Sequence, residues 1–487
     1  MYSNLIEHIA QDLKDQSRNF LLIENPDRFF HRKDIQVLLE NHGIIFLYGS
    51  SLYLRVSLET RDEKNEDATI CYFISNENQI LEDIREKVCK KKLSINDYLK
   101  SYHSSSFIAE DITILEELYN RPQLRNLSQI ETDKVIQEIR TVSRSINSKQ
   151  VNAVIEEIRA LESLPNSHTK WFEIVRKLSV LLTLEISWEE LNSLIDIEKE
   201  INSPFQDYLK KNYSILDSSN YIDAPKIVSK ILPFIANQKI EKQALFVIDG
   251  MAYWQYEMLK KDLKNSLIRN EGSTYSWIPS ITQLSRQAIF RGAYPDSGYK
   301  QNPTNEEKLF KAFWIKEGIS EAMISYVHGI PKSLNYSLSK QAIVITDLDD
   351  QMHGASDLGM LRVTTNYLFQ KQSIISLIND LTDNGYTVYL TADHGNIQAK
   401  GYGALKASEK LGTNQSGSRS ERHLEYSKLE LAKYFMENNP DLNGQAVIDD
   451  HVIYMSSDLS FSRDKTTVTH GGSHILEVII PFIELKK

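Results

Sequence analysis

One stretch near the C-terminus constrains the fold of this chain more than any other. An apolar, β-branched run at residues 387–391 is followed by Asp393, His394 and Gly395. A buried parallel strand has this composition, because both of its faces pack against other elements. In such folds the ligand-binding side chains follow the carboxyl ends of the strands. The stretch therefore predicts a central strand whose tip presents two metal-binding side chains.

Other apolar runs in the C-terminal half lie next to potential metal ligands in the same way. Those at residues 244–248 and 342–346 alternate with helical patterns, including a long one at residues 363–383, which predicts a mainly parallel α/β sheet. Parallel strands place their carboxyl ends at one edge, where these side chains would meet. The potential ligands are Asp249, one of Asp347, Asp349 and Asp350, and His353, Asp393, His394 and His470.

The predicted ligands are aspartate and histidine, without cysteine. Such a set suits Zn²⁺ or Mn²⁺, and Mg²⁺ where oxygen atoms predominate. Six ligands are too many for one catalytic ion that keeps an open position, but they suit two. Two ions about 4 Å apart hold the attacking and leaving oxygens of an in-line displacement. We therefore expect two divalent ions, with Zn²⁺ as the first choice and Mn²⁺ or Mg²⁺ as alternatives.

A hydroxyl group that could serve as nucleophile lies in the segment Pro279-Ser280-Ile281-Thr282. Thr282 stands where a helix is predicted to begin, and this helix should end near Gly292. The N-terminus of a helix favours the negative charge of a phosphate group. Thr282 is therefore the candidate nucleophile, with Ser280 as its rival.

The remainder of the chain has different patterns. Residues 1–110 predict a small α/β domain, in which residues 53–58 alternate as a strand does. In residues 111–238 apolar positions recur every three or four residues, which predicts a helical bundle or spacer. Residues 239–487 contain the potential ligands and form the predicted catalytic domain.

Composition excludes several classes of protein. The net charge of −10 argues against a general polyanion binder, so any nucleic-acid contact must come from a local patch. Two cysteines in 487 residues indicate a reducing compartment and exclude an all-cysteine zinc site. The chain has no signal-peptide pattern, and none of its apolar runs approaches the roughly 18 residues that span a membrane. We therefore expect a cytoplasmic protein without a membrane partner.

Five short motifs follow one another through the C-terminal half. They are Val-Ile-Asp249-Gly-Met, Pro279-Ser-Ile-Thr282-Gln-Leu-Ser-Arg286, Asp349-Asp-Gln-Met-His353, Ala-Asp393-His394-Gly and His470-Gly-Gly. In this order they resemble the PglZ domain, a branch of the alkaline phosphatase superfamily. The resemblance covers roughly residues 240–487 and implies an alkaline-phosphatase-like domain with phosphodiesterase or phosphatase activity.

The resemblance also implies roles for single residues. One ion would be held by Asp249, Thr282, Asp393 and His394. The other would be held by Asp349, His353 and His470. In the related phosphodiesterase pattern the attacking hydroxyl lies three residues after the proline, which favours Thr282 over Ser280. Asp349 is favoured over Asp347 and Asp350 because it precedes His353 by four residues, as the resemblance expects.

Two arginines are candidates for contacts with the substrate. The third position after the nucleophile, often asparagine in the phosphodiesterase relatives, is Ser285, so Arg286 is the candidate for stabilising transition-state charge. Its alternative is a surface ion pair on the helix. Residues 396–423 form a Gly- and Ser-rich, locally basic stretch that suits a phosphate-bearing substrate, or else a solvated loop. Within it, Arg422 is the candidate substrate-binding residue.

PglZ-domain proteins are associated with BREX-type bacterial phage defence and with two-component regulators. The N-terminal strands lack the acidic residues and the later lysine of a receiver domain, which favours antiviral defence. The resemblance thus implies a metal-dependent phosphoesterase that acts on a phosphate ester, nucleotide or nucleic acid, together with partner defence proteins. The alternative is a non-catalytic scaffold that binds partner proteins or DNA.

Overall fold

The computed structural model describes most of the chain. It covers residues 4–40, 42–48, 51–59, 69–73, 82–85, 87–121, 123–184, 188–216, 218, 223–296, 298–371, 373–403, 405, 420–463 and 465–487. The chain divides into two compact units, Met1–Lys149 and Gln150–Lys487. The helices of the predicted middle region, residues 111–238, are shared between these two units, and the division into three parts stays a prediction.

The first unit contains a four-stranded parallel sheet in the order β2-β3-β1-β4. Its strands are β1 (Phe20–Glu24), β2 (Ile44–Leu47), β3 (Thr69–Phe73) and β4 (Cys89–Lys92). Its helices are Leu5–Lys14, Lys33–Glu40, Ser51–Glu59, Glu82–Arg85, Ser104–Phe107 and Ile112–Tyr119, and the long helix Gln129–Glu162 follows. Short 3₁₀ turns are formed by Phe29–His31 and Ile95–Asp97.

The strand predicted at residues 53–58 is wrong, because these residues belong to the helix Ser51–Glu59. Leu54 is fully buried there, while Leu52 and Val56 are exposed. In a segment of only six residues, the same spacing of apolar residues fits either the two-residue repeat of a strand or the repeat of a helix.

The second unit is built around a six-stranded sheet in the order β6-β16-β9-β5-β8-β7. Its strands are β5 (Gln243–Ile248), β6 (Ile268–Tyr275), β7 (Ile324–His328), β8 (Lys340–Ile345), β9 (Thr387–Thr391) and β16 (Ile479–Leu485). Four of these strands are parallel, whereas β16 runs antiparallel to both β9 and β6. The predicted α/β class with a mainly parallel sheet is confirmed.

Two smaller sheets accompany the large one, in the orders β14-β10-β15 and β11-β13-β12. Their strands are β10 (Ile397–Gly401), β11 (His423–Glu425), β12 (Ala446–Asp449), β13 (Val452–Met455), β14 (Leu459–Ser460) and β15 (Thr466–Thr469). Because β10 follows β9 closely and β15 immediately precedes His470, the first small sheet connects two of the predicted ligand motifs.

Helices cover the sheets of the second unit. They are His168–Leu182, Trp188–Asn212, Ile231–Asn237, Tyr253–Lys260, Thr282–Arg291, Pro303–Lys316, Asp347–Gly354, Leu358–Lys371, Ile374–Asp383, Leu429–Asn438 and Ile475–Val478. Short 3₁₀ turns are Tyr213–Ile215, Val228–Lys230, Asn265–Leu267, Glu321–Met323 and Pro440–Leu442. The single helix predicted at residues 363–383 is two helices, Leu358–Lys371 and Ile374–Asp383.

The centre of the large sheet is buried on both faces. Every residue of β5, β8 and β9 is buried, so the loops that follow the carboxyl ends of these strands begin in the core of the unit. No helix among the residues that the structure describes is long and apolar enough to cross a membrane.

Candidate metal centre

The predicted ligands come together at the carboxyl ends of the central strands. Asp249 follows β5, Asp349 lies on the helix after β8, and Asp393 and His394 follow β9. Their side chains and that of His470 are almost completely buried. Two groups form: Asp249 with Asp393 and His394, and Asp349 with His394 and His470. Within each group the potential ligand atoms lie within 4.8 Å of one another.

The first group is held by backbone hydrogen bonds. The N–H groups of Gly250 and His394 each donate to Oδ1 of Asp393 at 3.0 Å. Nε2 of His394 lies 3.6 Å from Oδ2 of Asp393 and 3.6 Å from Oδ1 of Asp249. Oδ2 of Asp393 is buried and has no hydrogen-bond partner among the described residues. A buried carboxylate oxygen without a donor is costly, and a bound cation would satisfy it.

Two histidines face Asp349: His470, which belongs to the second group, and His353, which lies beside that group but is not a member of it. Oδ1 of Asp349 lies 3.4 Å from Nε2 of His353 and 3.9 Å from Nε2 of His470. The ring centroids of His353 and His470 are 5.4 Å apart, whereas a separation above roughly 10 Å would be far too large for two ligands of one ion. Of the neighbouring acids left open by the sequence, Asp347 and Asp350 are exposed. Burial therefore favours Asp349.

Hydrogen bonds orient two of the histidine rings. Nδ1 of His470 bonds to the carbonyl oxygen of Ser280 at 2.7 Å, and Nδ1 of His394 to that of Gly395 at 3.0 Å. A carbonyl oxygen only accepts, so Nδ1 carries the proton in each ring and Nε2 of the neutral ring keeps a lone pair for a ligand. The rings of His394 and His470 stack with centroids 3.8 Å apart, which places His394 between the two groups.

The ligands strongly influence one another's charge. Burial and the charges of Asp393 and Asp349 raise the pKa of Asp249 well above its ordinary value of 3.8. Burial opposes ionisation of Asp349, but the hydrogen bond with His353 and the charge of His470 lower the pKa of Asp349 below its ordinary value. Burial and the charge of a neighbouring histidine lower the pKa of His470. Bound cations would relieve the repulsion between these buried carboxylates.

Thr282 lies beside the first group. It is the first residue of the helix Thr282–Arg291, and its Oγ1 is 3.0 Å from Nε2 of His394 and 3.5 Å from Oδ1 of Asp249. Ser280 is directed elsewhere, because its hydroxyl accepts from the N–H of Gly471 at 2.9 Å and is fully buried. Of the two candidate hydroxyls, the structure brings that of Thr282 to the ligands.

Arg286 is not part of a surface ion pair, because it is buried one helical turn after Thr282. Its Nη1 donates to Oδ2 of Asp249 at 2.9 Å and its Nη2 donates to Oε2 of Glu306 at 2.5 Å. Burial acts to lower the pKa of Arg286, but the charges of Glu306 and Asp249 outweigh it and hold the pKa above its ordinary value. Arg286 therefore stays charged beside the potential metal ligands.

A profile of the family "BREX system PglZ alkaline phosphatase-like domain" matches residues 227–485, which is more than half of the chain. The chain belongs to this family. The resemblance derived from the five motifs is confirmed, and the C-terminal unit contains a PglZ domain.

The PglZ domain also has distant likenesses among solved structures. Murine ectonucleotide pyrophosphatase/phosphodiesterase 5 is 10% identical, with a TM-score of 0.36, over 50% of this chain and 88% of that one. Phosphonoacetate hydrolase from Sinorhizobium meliloti 1021 is 12% identical, with a TM-score of 0.30, over 50% of this chain and 89% of that one. No conclusion about residues or substrate follows from likeness at this level. A search of curated proteins gives no match.

The structure does not expose Arg422, although a contact with the substrate was expected of it. It is completely buried in the PglZ domain, and its Nε and Nη2 donate to Glu477 at 2.9 and 3.1 Å. Its Nη1 and Nη2 also donate to the carbonyl oxygens of Leu459 and Ser457. These bonds turn the guanidinium inward. Residues 406–419 of the predicted basic loop lie outside the described residues.

Two buried glutamates of the PglZ domain were missed by the sequence analysis. Glu477 accepts hydrogen bonds from the N–H groups of Gly472 and His474, each at 3.0 Å, and so holds the loop that carries His470. A charged residue inside the apolar run at residues 475–483 was the available signal for it. Glu306 lies on an ordinary amphipathic helix, where no signal distinguishes it from its neighbours.

Proposed function

We propose that this PglZ protein is a metal-dependent phosphoesterase whose nucleophile is Thr282. The observation that carries the proposal is the 3.0 Å separation between Oγ1 of Thr282 and Nε2 of His394, a residue that belongs to both potential ligand groups. A hydroxyl in this position stands beside the carboxylates and imidazoles that would hold two divalent ions. The substrate is a phosphate ester, with nucleotides and nucleic acid as candidates.

The donor set supports two ions. One would be held by Asp249, Thr282, Asp393 and His394. The other would be held by Asp349, His353 and His470. Carboxylate and imidazole donors without thiolate suit Zn²⁺ first, then Mn²⁺ or Mg²⁺. When bound, such ions neutralise phosphate charge and lower the pKa of a bound hydroxyl.

The residues of the chain would then carry out a two-step displacement. The position of Thr282 at the first turn of its helix directs its oxygen towards Asp249 and His394, and the positive end of the helix favours the phosphate. Attack by Oγ1 forms an O–P bond and releases the alcohol of the ester. Water then cleaves the bond between phosphorus and Oγ1, which restores the threonine hydroxyl and releases the phosphate product.

The family description supports a setting in BREX-type defence, where the enzyme would act with partner defence proteins. The chemistry of the site does not depend on this setting, so activity can be tested on the isolated chain.

The test is hydrolysis of bis-p-nitrophenyl phosphate and p-nitrophenyl phosphate by the full chain, stripped of metal and then supplied with Zn²⁺ or Mn²⁺. We expect metal-stimulated turnover that Asp393→Ala and Thr282→Ala abolish. Wild-type protein without metal-stimulated turnover of either ester contradicts the proposal. Turnover that survives Thr282→Ala contradicts the covalent step alone, and loss only in Ser280→Ala would transfer the role to that serine. The ratio of the two substrates separates a diesterase from a monoesterase.

A further inference from the structure

A line of buried charges leads from the metal centre into the domain. Arg286 bonds to Asp249 on one side and to Glu306 on the other, and the side chains of Arg286 and Glu306 are 4% and 0% exposed. Removing charges from water is unfavourable unless nearby partners compensate for the lost hydration. Each of these groups is therefore held in place by its neighbours.

Neutral donors fix the far end of the line. The hydroxyl of Tyr326 donates to Oε2 of Glu306, and the side-chain amide of Gln301 donates to Oε1. Tyr326 lies on β7 and Gln301 precedes the helix that carries Glu306. Because separate elements hold both oxygens, the carboxylate of Glu306 presents a fixed acceptor to Arg286.

The hydrogen bond from Arg286 determines which oxygen of Asp249 faces the other potential ligands. Its Oδ2 accepts from Arg286, whereas its Oδ1 lies 3.6 Å from Nε2 of His394 and 3.5 Å from Oγ1 of Thr282. We propose that Glu306, acting through Arg286, is a positioning residue that leaves only Oδ1 of Asp249 to bind a divalent cation. This inference rests on the metal centre of the proposed function.

The same geometry gives Arg286 a different role from the one expected of it. Both of its terminal nitrogens are bonded to carboxylates, so Arg286 acts on Asp249 rather than on the substrate. The negative charge of Glu306 also offsets the positive charge of Arg286 next to the cation site. Without Glu306, Arg286 would repel a cation and would be free to turn away from Asp249.

The test is calorimetric titration of the metal-stripped full chain with Zn²⁺, which measures affinity without relying on activity. For Glu306→Gln and Arg286→Lys we expect Zn²⁺ to bind at one site about 10–100-fold more weakly, as is typical when partners of metal ligands are removed. The matched controls are Glu307→Gln and Arg291→Lys, which alter partly exposed ion pairs with Lys311 and Asp296 on the same two helices. Because partly exposed ion pairs contribute little to stability, the Zn²⁺ affinity of these two control variants should differ from that of the wild type by less than about twofold.

A double variant separates positioning from a general loss of structure. If Glu306 acts through Arg286, Glu306→Gln should cause no further loss of Zn²⁺ affinity in an Arg286→Met background. Losses that simply add in the double variant would overturn the inference.

Folding is followed by thermal melting of each variant. If Glu306→Gln does not fold, Tyr326→Phe decides, because it removes one donor to Glu306 and keeps the ring. Wild-type Zn²⁺ affinity in folded Glu306→Gln, or in Tyr326→Phe in its place, overturns the inference. A wild-type chain that binds Zn²⁺ but hydrolyses no ester contradicts the proposed function alone, since the comparison of affinities does not depend on turnover.

Discussion

Oγ1 of Thr282 lies 3.0 Å from Nε2 of His394, although 112 positions separate the two residues in the chain. The sheet brings them together, because Thr282 begins a helix and His394 follows the central strand β9. The carbonyl oxygen of Gly395 fixes the ring of His394 from the other side. Separate elements thus hold the proposed nucleophile and a potential metal ligand in contact.

Substitution of Thr282, the proposed nucleophile, should separate catalysis from metal binding. Thr282→Ala removes the attacking oxygen but keeps the carboxylates and imidazoles, so we expect hydrolysis to fall by at least about a thousandfold. Thr282→Ser keeps a hydroxyl and should retain measurable turnover. Initial rates, together with Zn²⁺ titration of the same samples, check this prediction. Loss of all Zn²⁺ binding in Thr282→Ala would contradict it.

Metal ions should stabilise the folded chain. A ligand that binds only the native state contributes about 2.7 kcal/mol at a hundred times its Kd. We therefore expect Zn²⁺ to raise the melting temperature of the metal-stripped chain, and Asp393→Asn to reduce this rise, because Oδ2 of Asp393 has no other partner among the described residues. Thermal melts with and without Zn²⁺ provide the measurement. An equal rise in Asp393→Asn would exclude this aspartate as a ligand.

Loss of Arg422 should affect stability more than substrate binding. Arg422→Met would leave the carboxylate of Glu477 buried without its cationic partner, which typically costs about 3–5 kcal/mol. Lys400→Met, at an exposed position of β10, is the matched control and should melt as the wild type does. An Arg422→Met chain of wild-type stability with a raised KM would instead return this arginine to the substrate site.

The pH dependence of the stability of the chain should reveal the ionisation of Glu198. Burial, reinforced by the charge of Asp458 and opposed by that of Lys199, raises the pKa of Glu198 to about 8 from an ordinary value of 4.5. Because the folded chain binds this proton more tightly than the unfolded chain, the stability it contributes is complete below about pH 4.5 and is lost as pH rises through about 8.

Glu198→Gln keeps the shape of the side chain and removes its titration. We expect this variant to melt above the wild type at pH 9, with a much smaller difference at pH 5. Glu200→Gln, at an exposed position on the same helix, serves as the control and should follow the wild type at both values. A constant difference between Glu198→Gln and the wild type across this range would contradict the prediction.

The sequence predicted the centre of the fold because its signals are local. Continuous apolar runs mark β5, β8 and β9, and the residues after them are the ones that converge. The edge strand β6 was not predicted, since residues 268–275 contain Arg269, Asn270 and Glu271, and several of these side chains are partly exposed. An antiparallel edge strand needs no continuous apolar run.

Partnerships between distant charges could not be predicted. Arg422 stands in a basic, Gly- and Ser-rich stretch, and its composition gave no sign of Glu477, 55 positions away. Likewise, the resemblance assigned His394 to one ion, whereas in the fold His394 belongs to both potential ligand groups. The packing of the loops after β9 and β15 determines the position of His394, and local sequence patterns do not encode that packing.

Detection of a covalent adduct tests the central claim most directly. The metal-stripped chain is mixed with a phosphate diester and Zn²⁺, quenched within the first turnover, and its peptides are weighed by mass spectrometry. We predict that the peptide containing Thr282 gains the mass of the phosphoryl group together with the one ester substituent that the diester retains, and that this gain depends on Zn²⁺ and is absent in Thr282→Ala. Metal-dependent hydrolysis with the adduct on another residue, or on none, would contradict it.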